Sequence, residues 1–130
     1  MRNFLLVLVA LGLLSGCAAF KNRTQTGNRF TEFFRETLSV ADCRDGVWEG
    51  IGQGYRGAIR LRVSIADGQI QGIEFDDHNE DPAVGGAAME ELLDLVLEYN
   101  SADLDAVSGA TESSAGFLAA VENALRSARE

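Results

Sequence analysis

An α+β fold is predicted for residues 46–130 by three features. Two stretches alternate with a period of two around glycine-rich turns, an Asp67-Gly68 dipeptide sits between apolar runs, and two later segments carry apolar stripes at helical spacing. Together they predict a small three-stranded antiparallel sheet packed with two amphipathic helices, with residues 104–107 a candidate extra edge strand.

In the first strand Val47, Glu49, Ile51, Gln53 and Tyr55 alternate with Trp48, Gly50, Gly52 and Gly54, leaving one face nearly bare of side chains. Glycine inside a strand signals close approach by another backbone or by a ligand. In the second, Ile59, Leu61, Val63 and Ile65 alternate with Arg60, Arg62 and Ser64, and the run ends at Asp67-Gly68, a strong type I′ hairpin signal. The returning strand, residues 70–75, breaks strict alternation because Ile70 and Ile73 are three apart around Gly72, which predicts a β-bulge. The first helix places Met89, Leu92, Leu93, Val96 and Leu97 on one stripe, and the second places Leu118, Val121 and Leu125 on another. Asp81-Pro82 reads as cap and first turn of the first helix, while Gly85-Gly86 weakens that start and delays it.

Ahead of this unit the chain reads as an export and anchoring segment. Arg2 is followed by an apolar stretch over residues 4–14, too short for a bilayer span, which takes about 20 residues, and then by Leu14-Ser15-Gly16-Cys17. Those four residues resemble the lipobox of bacterial lipoproteins. The resemblance implies a signal peptide over residues 1–16 and an acylated Cys17 as the mature N-terminus and membrane anchor. Residues 17–45 are then the lipidated N-terminus and a tether, in which Phe30, Phe33, Phe34 and Leu38 fall near helical spacing, and residues 46–130 form the domain. Removing residues 1–16 takes away Arg2 and no acid, so 10 basic and 20 acidic residues remain and the formal charge becomes −10. That balance argues against nucleic acid and anionic headgroups as partners and suits docking to a basic protein patch. With Cys17 acylated, Cys43 has no intrachain partner and reads as a buried or tolerated thiol.

Three motifs bear on chemistry. Gly52-Gln53-Gly54-Tyr55-Arg56-Gly57 fits G-x-G-x-x-G, but a strand follows it where a dinucleotide-binding turn needs a helix, so it reads as a glycine-rich strand and turn. His78 is the only histidine, too few for a zinc set, and no metal site is expected. The run from Asp105 to Ser114, D-A-V-S-G-A-T-E-S-S, delivers Thr111 to a helix start. Unpaired N–H groups and the positive end of the peptide dipoles there favour an anion attached to that hydroxyl. On spacing alone the alternative is that Ser108 caps the helix and Thr111 is an ordinary first-turn residue.

The same run, together with G-Y-R-G, D-G and H-N-E-D-P in the same order, resembles the FMN-binding domains of the C subunit of the sodium-translocating NADH:quinone reductase and the G subunit of the Rnf complex. The resemblance covers residues 47–125. It implies FMN joined by a phosphoester to Thr111, transferred from FAD by a flavin transferase with AMP as the other product. Gly109 and Ala110 leave the hydroxyl reachable, and its activation falls to the transferase. Ser108, Ser113 and Ser114 are candidate hydrogen-bond partners of the phosphate. The resemblance also places His78 and Glu80 in the pocket, the alternative for His78 being a loop residue held by Asp76 or Asp77. Tyr55, Trp48 and Met89 are candidate neighbours of the flavin ring. Arg56, Arg60 and Arg62 either face the ring or pair with Glu74 and Asp76 across the hairpin, and cross-strand pairing is favoured.

The expected function is an extracytoplasmic, lipid-anchored flavoprotein that relays electrons between redox proteins it does not identify, with no catalytic residues of its own. The rival readings are a non-redox interaction lipoprotein without flavin, a non-covalent FMN binder, and, weaker, a self-sufficient oxidoreductase. The cell envelope is the expected location. Ala18 after the anchor points to the outer membrane where there are two, while work with an inner-membrane reductase favours the other side.

Overall fold

The computed structural model describes residues 38–130. The expected signal peptide, Cys17 and most of the expected tether lie outside the described residues. Three strands, β1 (Gly46–Gly54), β2 (Gly57–Ala66) and β3 (Gln69–Asp77), form one antiparallel sheet in the order β1-β2-β3. Two helices follow, α1 (Gly85–Tyr99) and α2 (Thr111–Arg129). α2 lies over β1 and β2, while α1 packs against α2 and β3.

Alternation becomes burial on β2, where Ile59, Leu61, Val63 and Ile65 are buried and Arg60 and Arg62 are exposed. Asp67 and Gly68 both have positive φ, as a type I′ turn requires. β3 carries the expected bulge: Ser64 pairs with Gly72 and Ile65 with Ile70, so Gln71 is the extra residue. A second irregularity, with Asp76 unpaired between Phe75 and Asp77, had no counterpart in the apolar pattern. The candidate edge strand at residues 104–107 does not form; that segment joins no ladder and runs as a connector into α2.

The bare face of β1 is where α2 comes down. A Cβ on Gly50 would lie 1.9 Å from the Ala120 carbonyl oxygen, and one on Gly52 would lie 1.9 Å from that of Gly116. Gly116 in turn has no room for a side chain, because its Cβ would lie 2.4 Å from the Gln53 carbonyl oxygen. Helix and strand therefore meet backbone to backbone, as a strand glycine allows.

The stripe of α2 differs by one residue from the one expected. Phe117, Val121 and Leu125 are fully buried with Ala120, Ala124 and Ala128, whereas Leu118 is only partly buried. In α1 the buried face is Met89, Leu92 and Val96 with Ala88, and Leu93 and Leu97 flank it. The helix starts late, as its glycines predicted. Asp81 organises a turn by accepting from Ala83 N–H through Oδ1 at 2.8 Å and from Gly86 N–H through its carbonyl at 2.7 Å. Asp81 and Pro82 thus precede the helix and are neither its cap nor its first turn.

The folded unit also starts earlier than residue 46. Val40 and Cys43 are in the core and Leu38 packs against it. Arg44 closes the far end of α2, its backbone N–H and Nε both donating to the Ala128 carbonyl at 2.9 and 3.2 Å. Residues 38–45 are therefore part of the domain, because the C-terminal carbonyls of α2 need their donors. No helix among the described residues is long and apolar enough to cross a membrane.

Candidate functional site

The start of α2 faces the β1–β2 turn and the loop before α1 across a cleft of about 430 Å³. Such a volume falls within the roughly 300–1,000 Å³ of small-molecule sites. Tyr55 and Arg56 come from the turn, Glu80, Asp81, Val84 and Gly85 from the loop and first residue of α1, and residues 109–113 from the approach to α2 and its first turn. Tyr55 and Val84, 70% and 53% exposed, give the rim two apolar surfaces.

Thr111 is the first residue of α2, exposed and lining the cleft. Ala110 stands at the cap position with no side-chain hydrogen bond to the helix, and the first intrahelical bond runs from Ser114 N–H to the Ala110 carbonyl at 2.9 Å. The N–H groups at 111–113 precede it and point along the helix axis, which makes the position an anion cradle. Gly109 has φ of 84° and nothing within 4 Å of where a Cβ would stand, so open space lies beside the exposed Thr111 two residues on. Ser108 is exposed in the preceding turn, neither caps the helix nor lines the cleft.

The neighbouring serines are committed elsewhere. Ser114 is fully buried, and its Oγ donates to the Ala110 carbonyl at 2.6 Å while accepting from Val107 N–H at 3.1 Å. It pins the loop to the helix and does not reach the cleft. Ser113 lines the cleft, but its hydroxyl donates to Glu80 Oε2 at 3.2 Å. A hydroxyl has one proton, so both serines spend theirs inside the fold, and the anion cradle is left to the backbone amides.

Glu80 is 5% exposed and closes one wall of the cleft. Both its oxygens accept from Arg56 N–H at 3.3 Å. His78 stands behind it outside the cleft lining: Nδ1 accepts from Glu80 N–H at 3.2 Å, and the ring meets Phe75 edge-on at 5.2 Å. Its partners are a backbone amide and an aromatic ring, which places it outside the pocket and accounts for it without Asp76 or Asp77.

Of the three candidate ring neighbours only Tyr55 reaches the cleft. Met89 is fully buried in the core, and Trp48 lies towards the other end of β1, under the Arg44 guanidinium at 4.8 Å. Cross-strand pairing holds for Arg62, with Asp76 at 2.8 Å and Glu74 at 3.2 Å, and Arg60 pairs with Glu49 at 3.6 Å. Arg56 is the basic residue of the lining, 3.4 Å from Asp81. Val84 and Gly85 also line the cleft, although the sequence reading gave neither a place in the site.

Comparison with known proteins agrees with this geometry. A protein of Treponema pallidum (strain Nichols), described as uncharacterized, is 35% identical over 98 residues, covering 75% of this chain and 27% of that protein. Urocanate reductase of Eggerthella lenta is 33% identical over 129 residues, covering 95% of this chain and 20% of the reductase. NADH:acrylate oxidoreductase of Vibrio harveyi is 29% identical over 80 residues, 62% of this chain and 8% of that enzyme. The chain thus spans about a quarter or less of the length of each of these relatives. Residues 54–126, from the end of β1 to the last turns of α2, match the FMN-binding domain, and the chain belongs to that family.

Proposed function

We propose that the protein carries FMN as a phosphoester on Thr111 and relays electrons between redox proteins at the cell envelope. The observation that carries the reading is the Thr111 hydroxyl itself: exposed, first in its helix, at the edge of a ligand-sized cleft, with open space before it at Gly109. The residues present fit the group. Amides at 111–113 suit a phosphate, the apolar rim of Tyr55 and Val84 suits a flat aromatic ring, and Arg56 supplies positive charge to a lining otherwise acidic at Glu80, Asp81 and Glu112.

Attachment forms a bond between Thr111 Oγ and the FMN phosphorus and breaks the FAD anhydride bond, releasing AMP. The hydroxyl proton leaves to a base, a role we assign to the transferase. When bound, the flavin supplies the redox chemistry, and this chain's residues bind, orient and shield it. The same lining supports a carrier that depends on partners over a self-sufficient oxidoreductase. The Leu14-Ser15-Gly16-Cys17 segment supports anchoring through an acylated Cys17 on the outer side of the membrane, where a dissociating cofactor could not be replaced.

Intact mass and visible absorbance of the chain co-expressed with a flavin transferase test the attachment. The expected result is a yellow protein heavier by FMN less one water, with Thr111→Ala unmodified. A colourless wild type, beside a transferase active on another acceptor, overturns covalent attachment. Membrane partitioning of Cys17→Ala tests the anchor, which fails if the variant stays in the membrane fraction.

A further inference from the structure

Glu80 is the buried carboxylate whose surroundings the fold has been shaped to admit. A Cβ on Gly54 would lie 1.9 Å from Glu80 Oε1, and one on Gly85 would lie 2.5 Å from Ser113 Oγ and 3.2 Å from Glu80 Cβ. Glycine at both places leaves room for the carboxylate and its serine partner.

The partners are arranged for position more than for charge. The guanidinium of Arg56 goes to Asp81, and Glu80 takes the Arg56 backbone N–H at 3.3 Å and the Ser113 hydroxyl at 3.2 Å. Neutral donors compensate a buried carboxylate less well than a cation does, and an apolar residue of similar volume often stabilises as much. What an apolar residue cannot do is join these two donors. One belongs to the β1–β2 turn and the other to the first turn of α2, more than fifty residues apart in sequence, and both line the cleft.

We infer that Glu80 is a positioning residue for cofactor attachment: its carboxylate ties the β1–β2 turn to the first turn of α2, fixing the width of the cleft and the bearing of the amides beside Thr111. The inference rests on the reading of Thr111 as the attachment site. His78 belongs to the same device, since its Nδ1 fixes the Glu80 amide and its ring rests on Phe75, which packs on Phe117 of α2 with centroids 5.7 Å apart. Ser113 keeps its backbone N–H for an anion while its hydroxyl holds the strut.

The test compares full-length wild type, Glu80→Gln, Glu80→Leu and Ser113→Ala as acceptors for a flavin transferase with FAD, read by intact mass against time. Hydrogen exchange of the unloaded proteins supplies the second measurement. Glutamine keeps both links with one donor reversed, and leucine fills the space and keeps neither. Glu80→Leu is expected to load roughly tenfold to a hundredfold more slowly, as displacement of a reacting group by about an ångström costs. Glu80→Gln retains most of the rate and Ser113→Ala falls between. In unloaded Glu80→Leu the Arg56 and Ser114 amides, both hydrogen-bonded in the wild type, exchange faster while Leu92 and Val121 stay protected, which separates loss of position from loss of fold. Equal loading of wild type and Glu80→Leu overturns the inference alone. A wild type that takes no flavin from a competent transferase overturns the Thr111 reading and the inference with it.

Discussion

A single carbon atom has opposite consequences at two glycines. Gly50→Ala drives a Cβ into the Ala120 carbonyl at 1.9 Å, a clash between backbones that no rotamer relieves, and is expected to destabilise by about 3 kcal/mol or more. Gly109→Ala meets open space and bears only the strain of positive φ, about 1 kcal/mol. Urea denaturation of the two variants checks the contrast, and equal losses would refute it. Cys43 offers a test by pH. Its buried thiol, with Asp42 adding to the effect, has a pKa above the ordinary 9.0, while Arg129 opposes the shift. The unfolded chain releases this proton first, so its contribution to stability is complete below about pH 9 and is lost as pH rises through the folded value. Wild type is expected to lose stability above pH 9 more steeply than Cys43→Ala, measured by denaturation midpoints from pH 8 to 11; parallel curves count against it.

The elements differ in how plainly their sequences announce them. Strands β1 and β2 were legible because each has a solvent face and a core face, so chemistry alternates with geometry. The glycine face of β1 was legible too, as a place for another backbone. The stripe of α2 was misplaced by one residue, since Leu118 outweighs alanine in an apolar pattern while the true contact is made by Phe117 and small residues at 120, 124 and 128. Close helix–strand packing selects small side chains, which carry little hydrophobic signal. In the cleft, the place of Thr111 at a helix start was legible from its motif, but the duties of Ser113, Ser114 and His78 depend on partners far off in sequence or on a fold of the loop that periodicity does not encode. Ser114 is the case with a measurable consequence. Ser114→Ala leaves Val107 N–H without its partner and is expected to cost about 1–3 kcal/mol. The loss should fall on the turn before α2, with faster exchange of the 107–110 amides and little change in the sheet; a uniform loss of protection contradicts a local role.

Over the whole molecule the charge is −9, a field that opposes further negative charge on a bound group. Arg60 and Arg62 do little against it at the cleft, being engaged with Glu49, Glu74 and Asp76 on the exposed side of the sheet. Arg56 stands in the lining. In flavin-loaded protein, Arg56→Gln is therefore expected to lower the midpoint potential and Arg62→Gln to leave it unchanged, by redox titration; the reverse order refutes this assignment. The seating of α2 on β1 also governs which changes of length the chain tolerates. Gly116 and Ala120 lie in the glycine steps of β1 like a key in a keyway, so the helix cannot turn about its own axis to absorb an added residue. One alanine inserted between Ser114 and Ala115 swings Thr111 by about 100° away from the cleft while every keyed contact stays in place. The same insertion near Asp103, before the helix begins, is taken up by the connector. The Thr111 hydroxyl, the proposed attachment point, is thus located by counting residues back from the keyway, and a deletion or insertion in those few positions is expected to silence it in a protein that still folds.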